Sequence, residues 1–310
     1  MRLIKPSYEI WQQASGLEGI YKQIERAGRV CYRSEDKITE DSAKPFVDRM
    51  IKSGHGAMLE HGTVYMFMPI GCDKHDYHVA WKYHKNKYSK VIIRNEHFLL
   101  NKNGYYITTN FRVLVENGWL DDLKYICDPT EFHEKRVCVH FICDRGILAE
   151  FTRHRVFSFS AESTRYCNYS KDKFGNELTF IIPCWMDIPE GSINLGNYDK
   201  TSARYEDGNV HIIDTKSPYV GVDFIRSLCE AESNYLSIVR NGWKPQEARA
   251  VLPNSLKTEL VMTGFVSDWK HFFRVRSRIA ETGKPHPQAQ ELADPLMDEF
   301  VKRGIMETLL

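Results

Sequence analysis

The 310-residue chain has no excess of either charge: 42 lysines and arginines stand against 41 aspartates and glutamates, a formal net charge of +1. Proteins that coat nucleic acid draw their affinity from many unpaired cations, so this balance argues against such a partner. No apolar run approaches the roughly 20 residues of a membrane span. The opening MRLIKPSYEIW holds no apolar stretch of the kind that directs secretion. CxxC pairs are missing too. Cys31, Cys72, Cys127, Cys138, Cys143, Cys167, Cys184 and Cys229 are scattered and read as reduced, mostly buried thiols. A soluble, cytoplasmic protein is the expectation. There is no G-x-G-x-x-G after a strand, which argues against a Rossmann dinucleotide site. Internal repeats and low-complexity linkers are also absent, so one large domain over residues 1–310 is expected.

What is present suffices for a substantial core, with 42% hydrophobic and 12% aromatic residues. Leu17, Ile20, Tyr21, Ile24 and Ala27 recur at helical spacing, with Gly28 as the expected stop. Asp41 or Ser42 can cap a second helix that has Pro45 in its first turn, Phe46, Val47, Met50 and Ile51 as its stripe and Gly54 at its end. Strand-like runs occur at Thr63–Met68, Tyr105–Thr108, Val137–Ile142 and Thr179–Ile182. Residues 146–151 suggest a short helix, residues 224–239 a long one closed by Asn241-Gly242, and Pro245 starts another. Helices and strands that do not alternate regularly predict an α+β class. The polar stretch from about 70 to 135 reads as an insert.

Three stretches carry groups suited to chemistry. RHRVFSFSAESTRY, residues 153–166, puts three arginines, a histidine and three serines into fourteen positions. Arginine presents a planar fork of donors that suits phosphate and carboxylate. Taken alone, the stretch reads equally well as a solvated basic face. Residues 248–276 set Arg249 after a proline-started turn and Arg276 behind Trp269, Phe272, Phe273 and Val275, either as snorkelling surface arginines or as rigidly held ones. His55-Gly56-Ala57-Met58-Leu59-Glu60-His61 offers a small-residue loop with polar side chains, or simply a helix end and turn. Cys72, His75, His78 and His84 have the spacing of metal ligands, but no second cluster completes a site, and no metal is expected.

Together these blocks resemble the flavin-dependent thymidylate synthases. The family pattern Arg-His-Arg, seven residues, Ser is met by Arg153-His154-Arg155 and Ser163, continued by Arg165-Tyr166. His55–His61 and the run from Arg249 through Thr263-Gly264 to Arg276 match further blocks. The resemblance implies an α+β fold with a central, mostly antiparallel sheet flanked by helices, in a homotetramer with active sites shared between subunits. It also implies methylation of dUMP to dTMP, with methylenetetrahydrofolate as carbon donor and FAD passing on reducing equivalents from NADPH. Arg153, His154 and Arg155 would contact FAD, with Arg153 also near dUMP. His55, Ala57, Ala161 and His271 would fall on the cofactor side. Ser163, Thr164, Arg165 and Arg249 would line the nucleotide site, with Glu150 and Glu162 beside it. Arg276 would be the catalytic residue, stabilising the uracil ring as it loses its N3 proton.

This chain departs from the family pattern in places. Ser160-Ala161 stands where Asn-Glu is common, with the glutamate displaced to Glu162. A glutamine becomes Glu150, which protonation or a pairing with Arg153 would accommodate. Phe265 and Ser267 replace an asparagine and an arginine of the flavin site, and Ala57 replaces a small hydroxyl residue. Two other readings are therefore kept. One is a flavin- and folate-dependent enzyme making another 5-substituted pyrimidine nucleotide, suggested by Glu150. The other is a non-catalytic nucleotide- or RNA-binding protein, suggested by the lysines around Tyr77, Trp81 and Tyr83.

Overall fold

The computed structural model describes residues 1–70, 74–95, 103–171, 174–193 and 218–308. Two short strands come first, β1 (Arg2–Ile4) and β2 (Ser7–Trp11), separated by Lys5-Pro6, where proline can donate nothing to a ladder. Helix α1 (Gly16–Tyr32) buries Ile20, Ile24 and Ala27 along the expected stripe. It does not stop at Gly28. A Cβ there would lie 2.5 Å from the Phe46 ring, so this glycine is a point of close helix packing. The helix ends instead before Arg33, which takes the left-handed conformation at φ 48°. In α2 (Ala43–Lys52), Phe46, Val47 and Met50 are buried. Ser42 precedes it, but its hydroxyl donates to Glu25 Oε2 at 2.8 Å rather than capping the helix.

The single turn α3 (Gly56–Leu59) leads into β3 (Thr63–Pro69). Then come α4 (Lys74–His84), β4 (Lys90–Arg94), β5 (Gly104–Asn110) and α5 (Phe111–Asn117). β3, β5 and β4 form an antiparallel sheet in that order. The segment read as an insert therefore completes a sheet begun by β3. Tyr83 is fully buried in its core and donates to Asp122 Oδ2 at 2.7 Å, which removes it from any base-stacking surface. Cys72 lies outside the described residues. Among those described, no cluster of His, Cys, Asp and Glu is arranged to hold a metal.

The central sheet uses β6 (Arg136–Asp144), followed by α6 (Arg145–Phe151) and β7 (Ser158–Ala161). Further along are β8 (Thr179–Ile181), β9 (Gly191–Ser192), α7 (Pro218–Arg240) and α8 (Pro245–Ala248). The last elements are β10 (Lys257–Phe265), α9 (Val266–Arg276) and α10 (Pro287–Lys302). Strand order is β2–β6–β10–β7, antiparallel throughout, and β8–β1–β9 make a third sheet with β8 parallel to β1. The mixed α+β class with antiparallel sheets is as expected. On one face of the central sheet, Val139, Phe141, Leu260 and Met262 pack under Trp269, Phe272 and Phe273 of α9 and Leu292, Leu296 and Phe300 of α10. On the other face, Ala27 and Val30 of α1 meet Cys138 and Val261. Each large apolar side chain buried in these layers contributes about 1.5–3 kcal/mol. No helix among the described residues is long and apolar enough to cross a membrane.

Candidate active site

The stretch that opens with Arg153 is placed by its neighbours on both sides. Asp144 caps α6, its carboxylate accepting from Ile147 N and from Gln288 Nε2, both at 2.7 Å. That fixes the short helix whose last turn carries Glu150. Beyond it, Phe157 is buried against Trp269, ring centroids 4.7 Å apart, over Gly264, where a Cβ would come within 2.6 Å of the Phe157 ring. The loop between is pinned at both ends. Arg153 and Arg155 are thereby left exposed, with no ion pair among the described residues.

Arg276, the last residue of α9, reaches this loop. Its Nη1 donates to Glu150 Oε2 at 2.5 Å, its Nη2 to the Glu150 carbonyl at 3.0 Å and its Nε to His154 Nε2 at 3.1 Å. Glu150 thus pairs with Arg276, not with Arg153, because the α6–α9 contact brings the C-terminal end of α9 across the last turn of α6. His154 must be neutral to accept from an arginine. Burial, then the charges of Arg276 and His271, hold its pKa down to about 4. His271 lies on the same side, its ring 6.1 Å from that of His154.

The nucleotide-side residues form a second group. Ser163 O accepts from the amides of Tyr166 and Cys167 at 3.2 and 2.9 Å, and its hydroxyl accepts from Arg165 N at 3.3 Å, which makes a tight turn after β7. Arg249 Nη1 donates to Thr164 Oγ1 at 3.2 Å, joining two residues 85 apart in sequence. Arg165 and Arg249 are exposed and Ala161 sits in β7 opposite Leu260.

Glu162 does not face this group openly. It is buried, accepting from Lys257 Nζ at 2.9 Å and from the Tyr169 hydroxyl at 3.0 Å, within a cluster that also holds Glu259, Arg33 and His140. Lys257 and Arg33 both contact Glu259 Oε1, and His140 Nε2 lies 2.8 Å from Glu259 Oε2. Burial, then Lys257, lowers the His140 pKa to about 4, so its bond to Glu259 is a neutral N–H donation. Burial also lowers the Lys257 pKa, against the opposing charge of Glu162. Glu162, the residue directly after β7, thus turns its carboxylate inward to Lys257 rather than toward Thr164 and Arg249.

His55 and Ala57 sit at the start of α3. Arg112 of α5 reaches across to Glu60 at 2.6 Å and to Glu116 at 2.7 Å, so the region after β3 is tied directly to the His55–His61 block. His61 is fully buried, its Nδ1 2.8 Å from Thr263 Oγ1, and burial drives its pKa down to about 3.

Residues 127–303 match the sequence model of the family described as thymidylate synthase complementing protein. The chain belongs to that family. Among its relatives is the flavin-dependent thymidylate synthase of Pyrococcus furiosus, 24% identical over 168 residues that cover 54% of this chain and 55% of that protein. The flavin-dependent thymidylate synthase of Corynebacterium aurimucosum is 22% identical over 269 residues, covering 86% of this chain and 72% of that protein. The match to the Pyrococcus furiosus protein thus spans about half of that relative's length. A solved structure of the UMP/dUMP methylase PolB from Streptomyces cacaoi, bound with 5-Br dUMP, aligns over 97% of this chain and 93% of its own at 16% identity, with a TM-score of 0.42. The family match takes in the Arg153–Arg155 loop, the Ser163 turn, Arg249 and Arg276, but not the His55–His61 block.

Proposed function

We propose that this chain methylates dUMP to dTMP, with methylenetetrahydrofolate as carbon donor and FAD, reduced by NADPH, as cofactor, in a cytoplasmic homotetramer whose active sites are shared between subunits. The observation that carries the reading is the position of Arg276, locked beside the Arg153–Arg155 loop that the family match includes. Arginine has five N–H donors. Three are committed to Glu150 and His154, which leaves one on each terminal nitrogen for a ligand. Held there, the guanidinium stabilises negative charge on the uracil ring as N3 loses its proton, which raises the nucleophilicity of C5. A fixed cation needs no reorganisation at the moment of reaction.

The residues present fit the anionic part of the cofactor: Arg153 and Arg155 are exposed forks without a counter-charge, suited to a pyrophosphate. Bound there, the flavin would supply the redox chemistry. His154 orients Arg276, and His55, Ala57, Ala161 and His271 complete the cofactor side. Arg249, steadied by Thr164, takes the nucleotide phosphate together with Ser163 and Arg165. Glu150 borders the nucleotide with its charge already matched by Arg276. Glu162 works from behind, through Lys257, as a positioning residue for the turn that bears Ser163.

Product analysis tests the reading. Purified protein is incubated with FAD, NADPH, methylenetetrahydrofolate and dUMP, and the nucleotides are read by mass spectrometry. Flavin-dependent dTMP is the expected product. A differently substituted pyrimidine nucleotide would move the assignment to the modified-nucleotide activity that Glu150 suggests. Absence of any flavin-dependent product would overturn it.

A further inference from the structure

A cavity of about 370 Å³ opens at the edge of the central sheet, and none of its lining residues is one assigned above to nucleotide or flavin. Its walls come from the β2–α1 connection and first turns of α1, the start of β3 with His61, the start of β6, the loop at Cys127–Pro129 and the chain after α10. Apolar surface from Ile10, Trp11, Ile20, Ile126 and Val137 makes up much of the lining.

Four features of the lining are positive or donating, and none of them forms an ion pair among the described residues. Arg136 donates to the Glu60 carbonyl at 3.0 Å, to Thr63 Oγ1 at 3.3 Å and to Ser158 Oγ at 3.2 Å, all neutral oxygens, and no carboxylate among the described residues pairs with it. The carboxylates of Glu60 and Asp268 act on it only from beyond ion-pair distance, and a guanidinium withdrawn from water without a direct counter-charge is costly unless something anionic completes it. Lys135 lines the same cavity from an exposed position. The N-terminus of α1, a 17-residue helix, lines it through Ser15 and Gly16, and the Ser15 side chain caps none of the first-turn amides. A first turn without a side-chain cap, together with the helix dipole, favours an anion. Finally, Gln23 lines the cavity with a side chain 4% exposed, and its Nε2 makes no hydrogen bond to oxygen or nitrogen among the described residues. Buried donors of this kind are rarely left orphaned. Against them stand Asp128, exposed at the rim, and Arg303, whose charge is already taken by Glu299.

We propose that this cavity is a second ligand site, for a small organic anion whose carboxylate or phosphate meets Arg136, Lys135 and the α1 N-terminus and whose body fills the apolar wall. The neutral part of the ligand would present an acceptor to Gln23 Nε2. This inference does not depend on the proposed methylation.

Calorimetric titration of the full chain with benzoate and, separately, with inorganic phosphate tests it. Saturable binding of at least one probe is expected, weakened about tenfold by Lys135→Glu, a substitution at an exposed position that spares the fold. Gln23→Leu should weaken benzoate further while the melting temperature is held or raised. Tighter binding of benzoate assigns a carboxylate on a planar body, and tighter binding of phosphate assigns a phosphate ester; both support the site. No saturable binding of either, or binding indifferent to Lys135→Glu, would overturn it. Added dUMP and FAD should leave the titration unchanged; displacement by either would refute a separate site.

Discussion

The cluster around Lys257 and the cluster around Arg276 are built from the same groups, cations, glutamates and a histidine, yet they sit in different surroundings. Around Lys257 the side chains of Glu162, Glu259 and Lys257 are 2%, 10% and 11% exposed, and the ionic groups face one another. Around Arg276, Glu150 is 32% exposed and two N–H groups of the guanidinium remain open. A closed set of charges can only hold the fold together. A set left open on one side can hold a cation in place for something else, and the proposed chemistry belongs to the second.

The largest effect expected from breaking this contrast is on stability, at the closed cluster. Lys257→Met removes the more buried of the two cations that Glu162 and Glu259 share, leaving them Arg33 alone, and urea unfolding should show a loss of about 3–5 kcal/mol. Tyr169→Phe removes a single O–H donated to the buried Glu162 carboxylate and should cost about 1.5–3 kcal/mol in the same experiment. Acid should act on both clusters together. His140 and His154 are neutral in the fold with pKa values of about 4, whereas they would titrate near 6.5 when unfolded. The unfolded state therefore takes up protons first as pH falls. Melting temperature should hold above pH 6.5 and decline steadily from there to pH 4, and a flat profile across that window would contradict the burial of these rings as neutral groups. The smallest effect belongs to the open cluster. Glu150→Gln keeps an oxygen for Arg276, so turnover should stay within about tenfold of the parent and stability should hardly change. A large loss of stability there would mean that the two clusters are alike after all.

Local pattern made much of this visible in the chain. Apolar spacing marked α1, α2 and α7, and the β-branched runs marked β3, β5, β6 and β8. The Arg153–Ser163 spacing, with Arg249 and Arg276, marked the candidate site, because those residues lie on a short loop and in or beside short helices that the structure brings near one another. What stayed hidden is long-range. β10 is buried on both faces, so Leu260-Val261-Met262 shows no alternation to separate a strand from a buried helix. Gly28 looked like a helix stop because its reason for being glycine, the ring of Phe46, lies in another helix. The Glu150–Arg276 pair joins residues 126 apart, and Lys257 meets Glu162 across 95. Neither spacing carries a signal in one sequence. The same holds for the cavity at Arg136, whose walls come from five separate stretches.

The most direct test of the difference between the clusters is tritium release from dUMP labelled at C5, measured in parallel for the parent and for Arg276→Ala in the presence of FAD, NADPH and methylenetetrahydrofolate. The parent should release label, and the variant, melting within a few degrees of the parent, should fall by at least about 100-fold. Near-normal release from a folded Arg276→Ala protein would contradict the account and return Arg276 to the same structural role as Lys257.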